Sequence, residues 1–594
     1  MSDIKKPHFP CFSSGMHVCI TSLLCLSACL LTGCGESKEA DLTLMYVTDV
    51  HGLFLPSDYN AKSDNPSLVT MANFSTYLNQ VRAEKGIDHT ILLCGGDLNE
   101  GQPSNYYYNN VATEKEHISA QVMNFLGVDA IELGANDISA GARVWREQLP
   151  DQCNMPYLCA NLLDSETKEC QLKPYTILEK QGFRIAVLGL IDPNDCRWLS
   201  PDNMKGLTVT DLVPAATKWV KLIRKEENVD FVIGLFAAGT RNQSLLRVPG
   251  IDIFLLGADH RSLPINDFRI SSEGDSVLDV QPFPRLEEVA QIDLHLSRGS
   301  GIFSRVHRSA EVKRVRLSSY KPDEAFLHKF ASNIQEVDDY MNMEIGNLTV
   351  PMNYSESLFG PSALVDLMHD VQKETTGAQI SITNNCAEEV DFQTGPFTVN
   401  DLFHLYKYNY TFWVIPMKGK EIKDFLEASA SAQFNQMERP TDHILAFRFN
   451  DFREVIIGPN GPEMSQLKYK YCSASGIRYT VDVTRPKGER INILCLSDGT
   501  EFDMEKTYSV VMNEYLASGG GNYIFQMGWK RDTALNSLIS QSQYDSRTSF
   551  INYLRDRKNI QPKPSTDWSV IPEDYCKNAR EVDTKILQRF MSPM

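Results

Sequence analysis

Four short stretches carry side chains able to ligate a metal ion. Asp49 and His51 fall in "TDVHG", Asp97 in "GGDLNEGQP", Asn136 and Asp137 in "GAND", and His260 in "GADH". Residues two apart on an extended segment share a face, so Asp49 and His51 can address one ion. Asp97 and His260 stand at other strand ends, and carboxylate and imidazole donors of this kind suit Mn, Fe or Zn without choosing among them. Without an ion, the same residues would form a hydrogen-bonded polar cluster at a desolvation cost. Ala258 lies two residues before His260, at a place where a second imidazole would complete a pair.

The elements that must position these residues are legible around them. Short apolar runs ("LTLMYVTD", "TILLCGGD", "DAIELGAND", "RIAVLGLID", "FVIGLFAAG" and "DIFLLGADH") read as buried strands. Helical stretches lie between several of them, at 67–86 and 213–229. Strands alternating with helices imply an α/β domain over 42–317, whose ligand crevice lies at the carboxyl ends of the strands. In "KPDEAFLHKFASNIQEVDDYM", Phe326, Phe330, Ile334 and Val337 recur at helical spacing, which predicts one linker helix within 318–345. A second domain of mixed helices and strands is expected over 346–545, with a polar, proline-containing tail over 546–594.

Length and composition bound the function classes. The chain has 594 residues, 42% hydrophobic and 23% charged, which fits a globular protein of two or three domains. A net charge of −18 argues against a nucleic-acid partner, which would need a basic face. Residues 1–33 read as a signal peptide: Lys5 and Lys6 precede the apolar run "VCITSLLCLSACLL", and Leu31-Thr32-Gly33-Cys34 follows. The final cysteine makes the segment resemble a bacterial lipoprotein signal. Cys34 is then the lipidated first residue, 34–41 a tether, and the protein is anchored in the cell envelope on the periplasmic or the outer face. A plain signal peptide or a membrane anchor is the alternative. Nine of the 14 cysteines follow Cys34, and export permits disulfides, with Cys153, Cys159 and Cys170 the expected region.

Taken together, the motifs resemble the bacterial 5'-nucleotidase and 2',3'-cyclic nucleotide phosphodiesterase family. The resemblance covers nearly all of the mature chain. It rests on the four stretches above, on "PYLCANLLD" and "PYTILEKQGFRIAVLGL", and in the second domain on "GPSALVDLM", "MKGKEIKDFLE", "SGIRYTVDV" and "NEYLASGGG". It implies a calcineurin-like metallophosphoesterase domain followed by an α+β 5'-nucleotidase C-terminal domain. The family's chemistry uses two ions that share a bridging carboxylate. Asp49, His51, Asp97 and His260 match the ligands of the first ion. At the second, Asp97 remains, but Ala135 stands for an asparagine and Ala237 and Ala258 for two histidines. Asn136 replaces the histidine that assists the leaving group. Tyr408 and Tyr515 match the two rings that hold the base. The segment "TNNCAEEVDF" contains no arginine where the family carries one, and Gly521 replaces an acid.

Alanine offers no donor atom, and one shared carboxylate does not hold a transition-metal ion. An amide does not titrate near neutral pH, so Asn136 cannot shuttle a proton. Three readings follow. One is a lipoprotein of this fold that hydrolyses weakly or not at all and binds a phosphate ester or partner. Another is an active one-metal phosphoesterase acting on nucleotides or other phosphate esters. The third is a structural envelope protein.

Overall fold

The computed structural model describes residues 37–56, 69–237, 245–257, 264–270, 276–299, 306–387, 389–458, 461–555 and 557–588. The first domain holds fourteen described strands. They are β1 (Lys38–Val47), β2 (Thr90–Cys94), β3 (Ala130–Glu132), β4 (Tyr157–Leu158), β5 (Leu162–Asp164), β6 (Tyr175–Lys180) and β7 (Phe183–Ile191). There follow β8 (Leu207–Val209), β9 (Phe231–Ala237), β10 (Ile253–Leu256), β11 (Ile265–Ile270), β12 (Ser276–Gln281), β13 (Glu288–Arg298) and β14 (Val306–Arg316).

Two six-stranded sheets result, ordered β14-β13-β1-β2-β3-β4 and β11-β12-β10-β9-β7-β6, with β5 and β8 forming a separate pair. The central strands run parallel, so their carboxyl ends open on one side. The period of two decides which core each side chain joins. Leu42, Leu44 and Tyr46 of β1 share a core with Ile185 and Val187 of β7 and Ile233 and Leu235 of β9. Met45 and Val47 belong instead to the core under the helix Met71–Lys85. On the other side, Ala186, Leu188 and Val232 share a core with Leu212, Ala216, Val220 and Ile223 of the helix Leu212–Glu226. Each sheet is thus covered by helix on its outer face. Thr70 begins the helix Met71–Lys85 with a capping box to Asn73, which satisfies N–H groups the helix leaves open.

Several expectations are corrected. β1 starts at Lys38, paired with Arg298, inside the stretch expected as a tether. The linker helix is divided into Glu324–Lys329 and Ala331–Met341, with Phe330 between them at φ −101°, ψ 13°. Asp323 caps the first of these through Ala325 N–H and accepts a hydrogen bond from Ser75, which ties the linker to the first domain. Phe326, Phe330, Val337, Tyr340 and Met341 are buried in one apolar cluster with Val399 and Phe403 of the second domain, so the first domain's core runs on into the second. All nine described cysteines are free, and the disulfide expected around Cys153, Cys159 and Cys170 is absent there. Cys159 and Cys170 instead approach Asn161 and the carbonyl of Ala160.

The second domain is built on a five-stranded sheet ordered Cys472–Ser475, Ile380–Asn384, Thr507–Asn513, Thr411–Lys418 and Ser540–Asp545. The polar segment after 545 is woven into this domain. Asn559–Ile560 pairs with Glu344–Leu348, Trp568–Ile571 pairs with Ile477–Asp482, and the helix Glu573–Gln588 closes the described chain. Among the described residues, no helix is long and apolar enough to cross a membrane. Cys34 lies outside them.

Candidate active site

The loops after β1 and β2 are zipped together beyond the sheet. Gly95 N–H donates to the Val47 carbonyl, Asp49 N–H to Gly96, and His51 N–H to Asp97. This ladder forces Asp49, Asp97 and His51 into left-handed conformations, at φ 50°, 53° and 48°. Non-glycine residues rarely adopt that region, and strain of this kind gathers where side chains must be aimed. Here it turns one ligating atom from each of Asp49, His51 and Asp97 to within 4.8 Å of the others. Asp49 and His51 are 6% and 8% exposed. Thr48 Oγ1 donates to Asp49 Oδ2 at 2.7 Å and holds that carboxylate in place.

Asp97 is steered from a third loop. Asn136 N–H donates to Asp97 Oδ1 at 2.9 Å, so the carboxylate oxygen facing Ala135 and Asn136 is already engaged. A Cβ on Gly134 would lie 2.0 Å from that oxygen, so only glycine fits there. Burial, then the charges of Asp49 and Asp137, push the Asp97 carboxyl well above the usual carboxylate range. A cation beside it would relieve that cost, which is how a metal-ligating carboxylate behaves.

Three acids acquire roles that their spacing did not reveal. Asp137 is not a ligand. Its carboxylate accepts the backbone N–H groups of Asp97, Leu98, Asn99 and Gly134 and the Asn99 side-chain amide, stapling two loops together. Glu132 is fully buried at the end of β3. Its Oε1 accepts Leu190 N–H at 3.1 Å and Ala237 N–H at 2.8 Å, bridging the two sheets, and its Oε2 has no hydrogen-bond partner among the described residues. Burial pushes its carboxyl well up. Asp195, just past β7, adds to the charge that raises Asp97.

The replaced positions that the structure describes sit at the same rim. Ala135 opens the short helix Ala135–Ser139, and Ala237 closes β9 with its side chain buried. Ala258 and His260 lie outside the described residues.

In the second domain, Tyr408 and Tyr515 both line one cavity of about 560 Å³. Tyr410, which the sequence reading passed over, lies between them. Its ring centre is 6.0 Å from Tyr408 and 6.1 Å from Tyr515, the latter pair stacked at 28°. Tyr354 is a further aromatic in the wall. Two ion pairs complete it, Lys468 with Glu389 at 2.6 Å and Arg448 with Glu463 at 2.7 Å.

Contacts cross the boundary between the domains near both sites. Arg547 is buried with its guanidinium 3.6 Å from the centre of Phe403, and it donates to the carbonyls of Tyr406 and Lys407. Tyr106, from the helix that follows the Asp97 loop, hydrogen-bonds Thr548 at 2.8 Å. Glu514, next to Tyr515, has its carboxyl pushed up to about 7. Burial dominates, the hydrogen bond from Thr411 opposes it, and the charge of Glu100 adds to it. An acid whose folded value is raised keeps its proton longer in the native state, so its contribution falls as pH rises from the ordinary carboxylate value towards 7. Glu514→Gln is therefore expected to stabilise the protein by about 1–3 kcal/mol at pH 8 and to change little at pH 4 in urea unfolding.

Comparison with known proteins agrees with this fold. Residues 344–527 match the family model for the 5'-nucleotidase C-terminal domain. The chain is 22% identical over 601 residues to a trifunctional nucleotide phosphoesterase of Bacillus subtilis, matching 90% of this chain but spanning only 39% of that protein's length. It is 23% identical to a 2',3'-cyclic-nucleotide 2'-phosphodiesterase/3'-nucleotidase of Yersinia enterocolitica, over 84% of each chain. A solved candidate 5'-nucleotidase from Staphylococcus aureus, in complex with α-ketoglutarate, superposes with a TM-score of 0.67 at 20% identity, over 89% of this chain and all of that one. The strand-end site, the C-terminal domain and these relatives together make this chain a member of the 5'-nucleotidase and cyclic-nucleotide phosphodiesterase family of metallophosphatases.

Proposed function

We propose that this protein is an exported lipoprotein, anchored to the cell envelope through Cys34, that holds one divalent ion and binds a phosphate ester with little or no hydrolysis. Residues 42–317 carry the ion, and the 346–545 domain seats the base or another ring between Tyr408 and Tyr515. The reading rests on one contrast. The donors of Asp49, His51 and Asp97 converge within 4.8 Å, whereas the second-site positions Ala135 and Ala237 carry only methyl groups.

Asp49, His51 and Asp97, with His260, would hold Mn, Zn or Fe; their mixed carboxylate and imidazole donors fit such an ion. When bound, it supplies Lewis-acid polarisation of a phosphate oxygen. The chain's own residues orient the ligand. Thr48 fixes Asp49, Asp137 fixes the Asp97 loop, and the tyrosines offer ring faces for stacking. Asn136 provides no titratable group for the leaving oxygen.

Metal content per chain tests this. Protein loaded with Mn or Zn is expected to retain about one ion, lost in Asp97→Ala and Asp49→Ala. Two ions would show that other side chains replace the missing ligands. None would leave the structural reading. Release of adenosine from AMP, measured alongside, separates a binding protein from an active one-metal phosphoesterase.

A further inference from the structure

We propose that Arg285 anchors the anionic phosphoryl group of the ligand beside the Asp49, His51 and Asp97 site; the inference rests on the phosphate-ester reading above. Arg285 lies in the turn between β12 and β13, in "QPFPRLEE". Its N–H donates to the carbonyl of Asp49 at 2.9 Å, so the turn is bonded directly to a metal-ligand loop. The backbone there is tightly constrained. Pro282 and Pro284 fix φ on either side of Phe283, and Glu287 N–H closes the turn onto the Pro284 carbonyl at 3.3 Å. Arg285 and Leu286 both adopt left-handed conformations, at φ 57° and 58°. Buried Leu286, 1% exposed, pins the turn into the core under the site.

The side chain of Arg285 contrasts with this anchored backbone. It is exposed and makes no hydrogen bond or ion pair among the described residues. An extended arginine carries its guanidinium roughly 6 Å from Cα, so from a turn bonded to Asp49 it can sample the space around that loop.

Charge balance explains why a cation is needed there. Two carboxylate ligands cancel the charge of one divalent ion, and Asp195 and the buried Asp137 add negative potential around Asp97. A site with one ion therefore has no surplus positive charge to hold a phosphate dianion. A guanidinium presents a planar fork of donors that fits two phosphate oxygens at once, which an ammonium does not match.

The test is calorimetric titration of orthophosphate, and separately of adenosine, into the Mn-loaded protein and its Arg285→Ala and Arg285→Lys variants. Arg285→Ala is expected to weaken orthophosphate about 10- to 100-fold. Adenosine affinity, Mn per chain and thermal midpoint should stay unchanged, and Arg285→Lys should recover part of the loss. Lys221→Ala, on the exposed face of the helix Leu212–Glu226, is the surface-charge control and should bind as the parent does. Orthophosphate binding equal to the parent's in Arg285→Ala overturns this role and leaves the phosphate-ester reading standing. A parent that holds Mn but binds neither orthophosphate nor AMP overturns both. A fall in Mn content or thermal midpoint in Arg285→Ala would make the residue a structural support of the Asp49 loop and sink the proposal.

Discussion

Restoring the replaced residues together, as Ala135→Asn, Asn136→His, Ala237→His and Ala258→His, is expected to add a second ion per chain and to raise AMP hydrolysis on the order of 10²–10⁴-fold. The prediction follows from what each position lacks. Asp97 alone cannot retain a second ion, and three new donors bring the count to the four that such ions favour. Ala237 ends β9 with its N–H held by Glu132, so the backbone at this rim position is already fixed. Ala135 is the first residue of a five-residue helix, where its backbone N–H has no partner within the helix, so asparagine costs little there. A histidine at 136 would restore a group that titrates near neutral pH.

The variant also separates two reasons for the loss. Asn136 N–H donates to Asp97 Oδ1, which leaves Oδ2 and a lone pair of Oδ1 able to bridge, so this hydrogen bond is no obstacle to a second ion. If the restored protein folds, binds two ions and stays inactive, the missing ligands do not limit it, and the cavity around Tyr408 and Tyr515 becomes the place to look. If it still binds a single ion, the restored side chains do not converge, and the placement of the loops rather than the donors alone accounts for the loss. Ala135→Asn alone should change neither ion count nor rate, because one added donor leaves the site short.

How much of this was legible without coordinates depends on the kind of contact. The strands and their order along the chain were, because apolar runs ending in glycine and acid mark buried strands whose carboxyl ends carry polar loops. Asp49, His51 and Asp97 were also legible, since each follows such a run, and they do converge. The job of Asp137 was hidden. It works through backbone N–H groups about forty residues earlier, and backbone contacts leave no trace in side-chain spacing. Tyr410 was legible in principle, since it lies two residues from Tyr408 and shares its face on an extended segment, but the resemblance singles out Tyr408 and Tyr515 alone. Arg285 was invisible for a related reason: its link to the site is its own N–H. The single linker helix failed at Phe330, where packing of Phe326 and Phe330 against Phe125 outweighs a continuous helical register. The segment after 545 read as a tail because its strands are only two and four residues long, too short for a periodic signal.

That last segment carries the largest expected effect on stability. Asp583 is fully buried on the helix Glu573–Gln588. Its carboxylate accepts Ile444 N–H and Leu445 N–H, each at 3.0 Å, and pairs with His443. Asp583→Ala would leave two N–H groups and an imidazole without their acceptor, at a cost of about 3–5 kcal/mol. Asp583→Asn keeps an acceptor oxygen but loses the charge, so it should cost less. The hydrogen bond that His443 donates to the Asp583 carboxylate raises the His443 pKa, with burial opposing it. A histidine with a raised folded value contributes stability that is fully present below its unfolded value, near 6.5, and is lost as pH rises through the folded one. The difference between the parent and Asp583→Asn should therefore be larger at pH 6 than at pH 9 in urea unfolding. An equal difference at both would mean that the two backbone N–H groups account for the whole effect. A negligible loss in Asp583→Ala would mean that the C-terminal helix is not needed to hold the second domain together, against the strand pairing of 559–560 and 568–571 that leads into it.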